Sequence, residues 1–260
     1  MSALWITLCS IWTWIVLVTL CLVWLPLMAI VRLVTWPFDP GRYHTGLLFR
    51  KIGVYMARAN PLWDFRSTGT LITDPRRPYI VVSNHESFAD IMLVSHLPWD
   101  MKWLGKVELF RIPIMGWLLS LAGDIPVLRG DRRSAIEAMR SCRDMLVNKH
   151  MSVMIFPEGT RSTTAELLPF KDGAFRLAID TQVRILPLAL YGTRTALPKH
   201  GWRFGRATAV VKVLDPIDVT GLTAADAPAL RDRVRNLIDV ERTKLREELG
   251  GAATAQGSTT

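Results

Sequence analysis

Cysteine is scarce in this chain. Cys9, Cys21 and Cys142 share no spacing that suits a disulfide framework or a metal site, so neither a stapled secreted module nor a zinc domain is expected. Internal repeats, a long linker and any recognised nucleic-acid module are also missing. The basic balance, with a net charge of +9 and pI near 9.9, therefore points to anionic partners other than nucleic acid. No Gly-x-Ser-x-Gly elbow occurs, which removes the usual sign of a serine hydrolase.

The most telling absence is local. From Ala3 to Val31 there is no Asp, Glu, Lys, Arg or His. At about 1.5 Å per residue a straight helix of that length exceeds a hydrocarbon core of roughly 30 Å, so it must tilt, break or run into the interface. Pro26 is the expected kink, and Trp5, Trp12, Trp14, Trp24 and Trp36 suit headgroup depth. A cleaved signal peptide fits poorly, because the run is too long and has neither a basic leader nor a small-residue cleavage site. Arg32, Arg42, Arg50, Lys51 and Arg58 follow the run, which predicts a cytoplasmic location for what comes next. Residues 41 to 60 have helical periodicity with a basic face, which fits a core helix with a solvated side as well as an amphipathic helix on the bilayer; the position directly after the apolar run favours the bilayer surface.

Beyond residue 61 short apolar runs alternate with amphipathic stretches. Strands are predicted at Tyr79–Val82, Ile125–Leu128, Val153–Phe156, Ile185–Leu190 and Ala209–Val213, and helices at about 87 to 97, 113 to 122, 131 to 150 and 171 to 181. This is the pattern of an α/β domain with a largely parallel sheet, whose sites gather at the carboxyl ends of strands. A charged helix is expected at 224 to 249, and a disordered tail at 250 to 260, where there is little to bury.

Two segments fall at such strand ends. In Asn84-His85-Glu86-Ser87-Phe88-Ala89-Asp90, a neutral His85 imidazole can accept a proton from a hydroxyl, and Asp90 can hold its other nitrogen. The same letters also fit a helix start in which Ser87 caps and Asp90 bonds back to the backbone. Glu86 competes as the partner of His85. In Phe156-Pro157-Glu158-Gly159-Thr160-Arg161, Gly159 allows close backbone approach, Thr160 adds a hydroxyl and N–H, and the Arg161 guanidinium can grip a phosphate by two prongs. A surface turn with a Glu158–Arg161 ion pair fits equally well.

Taken together and in this order, the segments resemble the 1-acylglycerol-3-phosphate acyltransferases of the bacterial lysophosphatidate type, over roughly residues 78 to 190. The resemblance implies a single α/β acyltransferase domain, 61 to 249, with a largely parallel sheet, behind a membrane-spanning or re-entrant segment at 1 to 60. It implies that His85 and Asp90 are catalytic. Glu158, Gly159, Thr160 and Arg161 would form the phosphate-binding turn, joined by Arg129 from Gly123-Asp-Ile-Pro-Val-Leu-Arg129 and by Lys106. Residue 128 is Leu where the family often has Asp or Asn. Arg129 pairing with Asp131, and Lys106 pairing with Glu108, are the competing readings. Asn84, Ile185 and Pro187 would belong to structural or acyl-donor motifs, with a buried strand and a bulge at Pro187 as the alternative. Phe170 to Phe175 also looks familial, with a packing role.

The implied reaction passes an acyl group from acyl-CoA or acyl carrier protein to a lysophospholipid acceptor at a membrane rich in anionic lipid. No cofactor and no metal are expected. The implied place is the cytoplasmic side of the inner membrane. Backbone N–H groups near Asn84 or Gly159 are the expected oxyanion donors. Acyl transfer to another lysophospholipid or to a lyso-ornithine lipid, thioester hydrolysis, and plain binding of anionic lipid compete with this reading.

Overall fold

A computed structural model describes residues 2–257 apart from 163, 165, 199 and 200. The described residues form seven strands in one sheet, ordered β1-β7-β6-β2-β5-β3-β4. These are β1 (Trp63–Gly69), β2 (Ile80–Ser83), β3 (Met101–Lys106), β4 (Ile125–Val127), β5 (Ser152–Ile155), β6 (Ile185–Tyr191) and β7 (Ala207–Val213). Every pairing is parallel except β6 with β7. All five expected strands are present; β2, β5 and β6 are buried almost throughout, as apolar runs in the middle of a sheet must be, whereas β4 is a short, partly exposed edge strand.

Two strands were not legible in the sequence. β1 is a largely exposed edge strand, and β3 contains Lys102 and Lys106, a composition that reads as surface. Lys102 is nevertheless fully buried, its ammonium donating to Asp100 and to the carbonyls of Arg42 at 2.9 Å and Ala122 at 2.8 Å.

The helices are α1 (Ala3–Thr35), α2 (Tyr43–Ala59), α3 (Asp90–Val94), α4 (Val107–Phe110), α5 (Met115–Ala122), α6 (Arg132–Val147), α7 (Gly173–Thr181) and α8 (Ala227–Gly257). α6, α7 and α8 cover one sheet face through Ala138, Cys142, Phe175, Ala178 and Ile238, packed on Ile80, Val82, Val153 and Ile155. The other face, with Val81, Met101, Met154 and Leu188, is covered by Leu93 and Val94 of α3. Cys21 and Met28 of α1 pack with Phe49 and Ile52 of α2 and with Leu118 and Ala122 of α5.

Several expectations change here. α1 runs through Pro26 without ending, since proline removes one helical hydrogen bond while Trp24, Leu25 and Met28 are held by α2 and α5 on either side of it. Three of its tryptophans donate to the domain backbone: Trp12 to Ala59 O at 3.0 Å, Trp14 to Trp202 O at 2.9 Å and Trp24 to Leu48 O at 2.9 Å. α2 keeps His44, Lys51, Tyr55 and Arg58 exposed, but not every basic residue of its sequence lies on that face. Its Arg50 is buried, donating to Asp124 Oδ2 at 3.0 Å, Asp100 Oδ1 at 3.3 Å and Met101 O at 3.0 Å. Gly46 allows that approach, because a Cβ there would lie 2.1 Å from Asp100 Oδ2. α8 continues to Gly257, although disorder was expected from residue 250. Residues 258–260 lie outside the described residues.

Candidate active site

Parallel strands bring their carboxyl ends to one edge, and β2 lies beside β5. The segments beginning at Asn84 and Phe156 therefore meet although some seventy residues separate them. Asn84 extends the β2–β6 pairing with its side chain, donating to Leu190 O at 3.0 Å and accepting from Leu190 N at 2.8 Å. That anchors the loop bearing His85 to the rigid sheet.

His85 is buried, with Nδ1 2.7 Å from Asp90 Oδ2. A carboxylate beside Nδ1 selects the tautomer protonated there, which leaves the Nε2 lone pair as the acceptor. The ring stacks on Phe156, with centroids 4.0 Å apart and planes 16° apart. Asp90 also accepts from Glu86 N at 2.7 Å and Ser87 N at 3.0 Å through the same oxygen, and from the Thr193 hydroxyl through the other. One carboxylate thus both orients the histidine and satisfies the helix start. Ser87 does not cap α3 as expected: its Oγ accepts from Ala89 N at 3.3 Å and donates to Leu197 O at 3.3 Å. Thr193 was missed, because it follows β6 and reaches Asp90 only through strand pairing.

Glu86 turns away from His85. Its carboxylate is buried 3.8 Å from Arg194 and from Arg242 of α8. Burial, with the charge of Asp90 adding to it, pushes its pKa up to about 7 against the pull of the two arginines. A carboxyl whose folded pKa is raised loses stability as pH rises from its ordinary range to that value. The stability of Glu86→Gln relative to wild type is therefore expected to increase between pH 5 and 7.5, by about 3 kcal/mol at most. Thermal melts in detergent at both pH values measure this, and a pH-independent difference contradicts it.

Glu158 is neither paired with Arg161 nor open to a phosphate. Its Oε1 accepts from His85 N at 2.7 Å and its Oε2 from Leu168 N at 3.0 Å, which staples the two loops together. This corrects its assignment to the phosphate site, where a carboxylate would repel the ligand. The Gly159 N–H donates to Phe156 O at 3.0 Å, so it is not the spare oxyanion donor expected there. Gly159 does adopt φ +72°, and a Cβ would meet the Lys171 ammonium at 2.7 Å. Lys171, expected to serve packing only, thus joins this turn.

Thr160 is exposed, and Arg161 is half-buried beside it. Among the described residues neither Arg161 nor Arg129 forms an ion pair; Asp131 instead caps α6 at Ser134 N. Burial, and next the like charge of Arg161, hold the Arg129 pKa below its ordinary value. Glu108 pulls the other way, so the two guanidiniums repel each other with one carboxylate acting on Arg129 against that repulsion. Lys106 lies farther along the edge, its ammonium 3.3 Å from Glu108, and both side chains are about half exposed. Ile185 and Pro187 are buried inside the sheet. From Ile185↔Ile217 to Leu188↔Val213 the partner strand has one residue more than β6, a bulge that accommodates the missing Pro187 N–H. Both side chains are packed within the sheet.

Residues 65–191 match the family model described as Acyltransferase. Over 209 residues the chain is 35% identical to a 1-acyl-sn-glycerol-3-phosphate acyltransferase of Chlamydomonas reinhardtii, covering 75% of this chain and 60% of that one. A human 1-acyl-sn-glycerol-3-phosphate acyltransferase alpha is 39% identical over 163 residues, 62% of this chain and 58% of its own. The chain thus spans about three-fifths of the length of these curated relatives. A crystal structure of the 1-acyl-sn-glycerophosphate acyltransferase of Thermotoga maritima has the same fold, with TM-score 0.76 and 23% identity over 92% of this chain and 95% of that one. Residues 65–191 of the chain thus carry a domain of the Acyltransferase family.

Proposed function

We propose that the protein transfers a fatty acyl group from an acyl thioester, carried by CoA or by acyl carrier protein, to the free sn-2 hydroxyl of 1-acylglycerol 3-phosphate, giving phosphatidic acid. The observation that carries this reading is the His85–Asp90 contact of 2.7 Å, placed one strand away from the unpaired Arg161. The names of the curated relatives support the choice of acceptor.

In the proposed reaction Arg161 and Arg129, with Lys171 nearby, hold the acceptor phosphate so that the hydroxyl lies against His85 Nε2. His85 takes the hydroxyl proton as that oxygen bonds to the thioester carbonyl carbon. The tetrahedral intermediate then collapses, the carbon–sulfur bond breaks, and the imidazolium returns the proton to the departing thiolate. Asp90 stabilises that imidazolium. Positioning two reactants in this way supplies much of the acceleration.

The test uses purified protein in nanodiscs with oleoyl-CoA and a panel of lysolipids, following thiol release and diacyl product by mass spectrometry. Phosphatidate from wild type supports the acceptor. In Arg161→Ala the KM for lysophosphatidate is expected to rise roughly thirtyfold, as loss of a charge-assisted contact of about 2 kcal/mol implies. Thiol release without diacyl product would replace the reading with thioester hydrolysis.

We further propose that the catalytic domain faces the cytoplasm at the inner membrane and that α1 is embedded without crossing. Arg32, Arg42, Lys51 and Arg58 after the apolar helix support the orientation. Against crossing, α1 is tied to the domain from Ser10, whose Oγ accepts from Phe204 N at 2.9 Å, to Met28, which is buried against α2 and α5. That stretch is about 27 Å long, nearly a full hydrocarbon thickness. A crossing helix would drag residues 201–205 through the bilayer with it. On its outer side Leu4, Leu8, Ile11, Ile15, Val18, Leu22 and Ile30 are exposed, as a lipid-facing stripe requires. A protease site placed before Ser2 is expected to be cut from the cytoplasmic side of sealed vesicles, and protection there contradicts the embedding.

A further inference from the structure

α6 and α7 lie on the sheet face turned away from α1, and they leave a groove between them with a volume of about 410 Å³. Ala135, Ile136, Met139 and Leu177 give it an apolar lining, and Ile136 is 46% exposed. Arg132, Arg140, Arg143 and Arg176 surround that lining, all of them exposed. Arg143 is 3.0 Å from Asp180 and Arg176 is 3.7 Å from Asp172, whereas no ion pair among the described residues uses Arg132 or Arg140. The groove therefore keeps an excess of positive charge around an exposed apolar centre.

Its place in the fold ties it to the reaction. α6 begins three residues after Arg129, and α7 begins two residues after Lys171, whose ammonium lies beside Gly159. Arg132 and Gly173, the first residues of the two helices and both part of the groove lining, thus stand within three residues of Arg129 and Lys171 along the chain. We infer that this groove docks the acyl donor in the form of a small acidic carrier protein, an acidic and partly apolar helix of the carrier lying between α6 and α7. The inference rests on the acyl-transfer reading above. The arm bearing the thioester then passes over Arg129 toward His85, while the lipid acceptor arrives from the α1 side.

Three observations favour this occupant. The groove is on the face remote from the apolar helix, which suits a partner arriving from water and not a headgroup surface. Its arginines extend along α6 from Arg132 to Arg143, about 17 Å, a match for a charged protein surface more than for one phosphate. Arginine and methionine around an apolar centre, with lysine absent from the lining, is the composition of a protein-binding patch.

The test compares wild type with Arg132→Glu/Arg140→Glu, using oleoyl-acyl carrier protein and oleoyl-CoA as alternative donors, and measures binding of the holo carrier by fluorescence anisotropy. Neither residue takes part in the chemistry, so the CoA reaction also reports that the variant is folded. The KM for the carrier donor is expected to rise about tenfold or more and to become less sensitive to salt, with the CoA reaction within about twofold of wild type. Weakened carrier binding should accompany it. An equal loss with both donors, unchanged carrier binding, or a wild type that ignores the carrier would overturn the inference. If wild type transfers to no lysolipid from either donor but still binds the carrier through these arginines, it is the acyl-transfer reading that fails, and the docking surface stands.

Discussion

His85→Ala is expected to lower acyl transfer to lysophosphatidate by about a hundred- to ten-thousandfold, the range a positioned general base contributes. The loss should fall on kcat, with the acceptor KM little changed, because the groups proposed to hold the phosphate are on other strand ends. His85→Ala also removes a buried ring that stacks on Phe156 and contacts Asp90 through Nδ1, so thermal melts accompany the rates, while the loop remains anchored by Asn84 on Leu190 and by Glu158 on the His85 amide. Asp90→Asn should differ in kind. An amide at that position reverses the tautomer preference at Nδ1 and also weakens the acceptor for Glu86 N and Ser87 N, so activity and melting temperature should fall together. Thr193→Val, which removes a hydroxyl donor to Asp90 without touching His85, should produce a smaller version of the same effect. Initial rates and thermal melts of the three variants measure this directly. A His85→Ala protein that keeps more than about a tenth of wild-type activity would eliminate the general-base mechanism.

The second large effect concerns stability. Arg50 joins α2 to the sheet by contacts with Asp100, Asp124 and the Met101 carbonyl, and Asp124 also accepts from Trp103 N at 3.0 Å. Burial works against the Arg50 charge, but Asp124 and Asp100 outweigh it and hold its pKa above the ordinary value. Arg50→Met leaves two buried carboxylates with Lys102 as their remaining cation. Removing one partner of such a network costs about 3–5 kcal/mol. For a chain of this size that corresponds to a fall of roughly 10 °C in melting temperature. Adding Asp124→Asn to Arg50→Met removes one of the stranded charges, so the double variant should lose less than the sum of the two single losses. Additive losses would show that the arginine acts through packing alone.

Arg50 also shows where sequence reading stops. Beside Lys51 and Arg58 it looks like part of a solvated basic face, and helical periodicity cannot report that two aspartates from distant loops have converged on it. The same holds for β3, whose lysines disguise a buried strand, and for Thr193, Arg194 and Arg242, which reach the Asn84–Asp90 loop only after β6 and α8 have docked. A buried strand with a bulge at Pro187 was one of two readings of Ile185 and Pro187, but the extra residue that makes the bulge depends on how β7 and Ile217 pair beside them.

By itself the sequence determined the elements whose apolar patterns are local: the long helix at the start, five of the seven strands, the alternation with helices, and the two segments at the ends of β2 and β5. Those segments could be read because a histidine, an acid and a strand-ending turn need only short-range spacing to suggest chemistry. Tertiary structure alone decided which of their side chains face one another. Parallel pairing of β2 with β5 assigned Glu158 to the backbone of the His85 loop and, among the described residues, left Arg161 outside any ion pair. Packing of α1 along α2 and α5 decided that an apolar helix long enough to cross a membrane is bound to the domain along one side. Contacts of that kind join residues far apart in the chain, and their partners are set by strand order and helix packing, which no local pattern encodes.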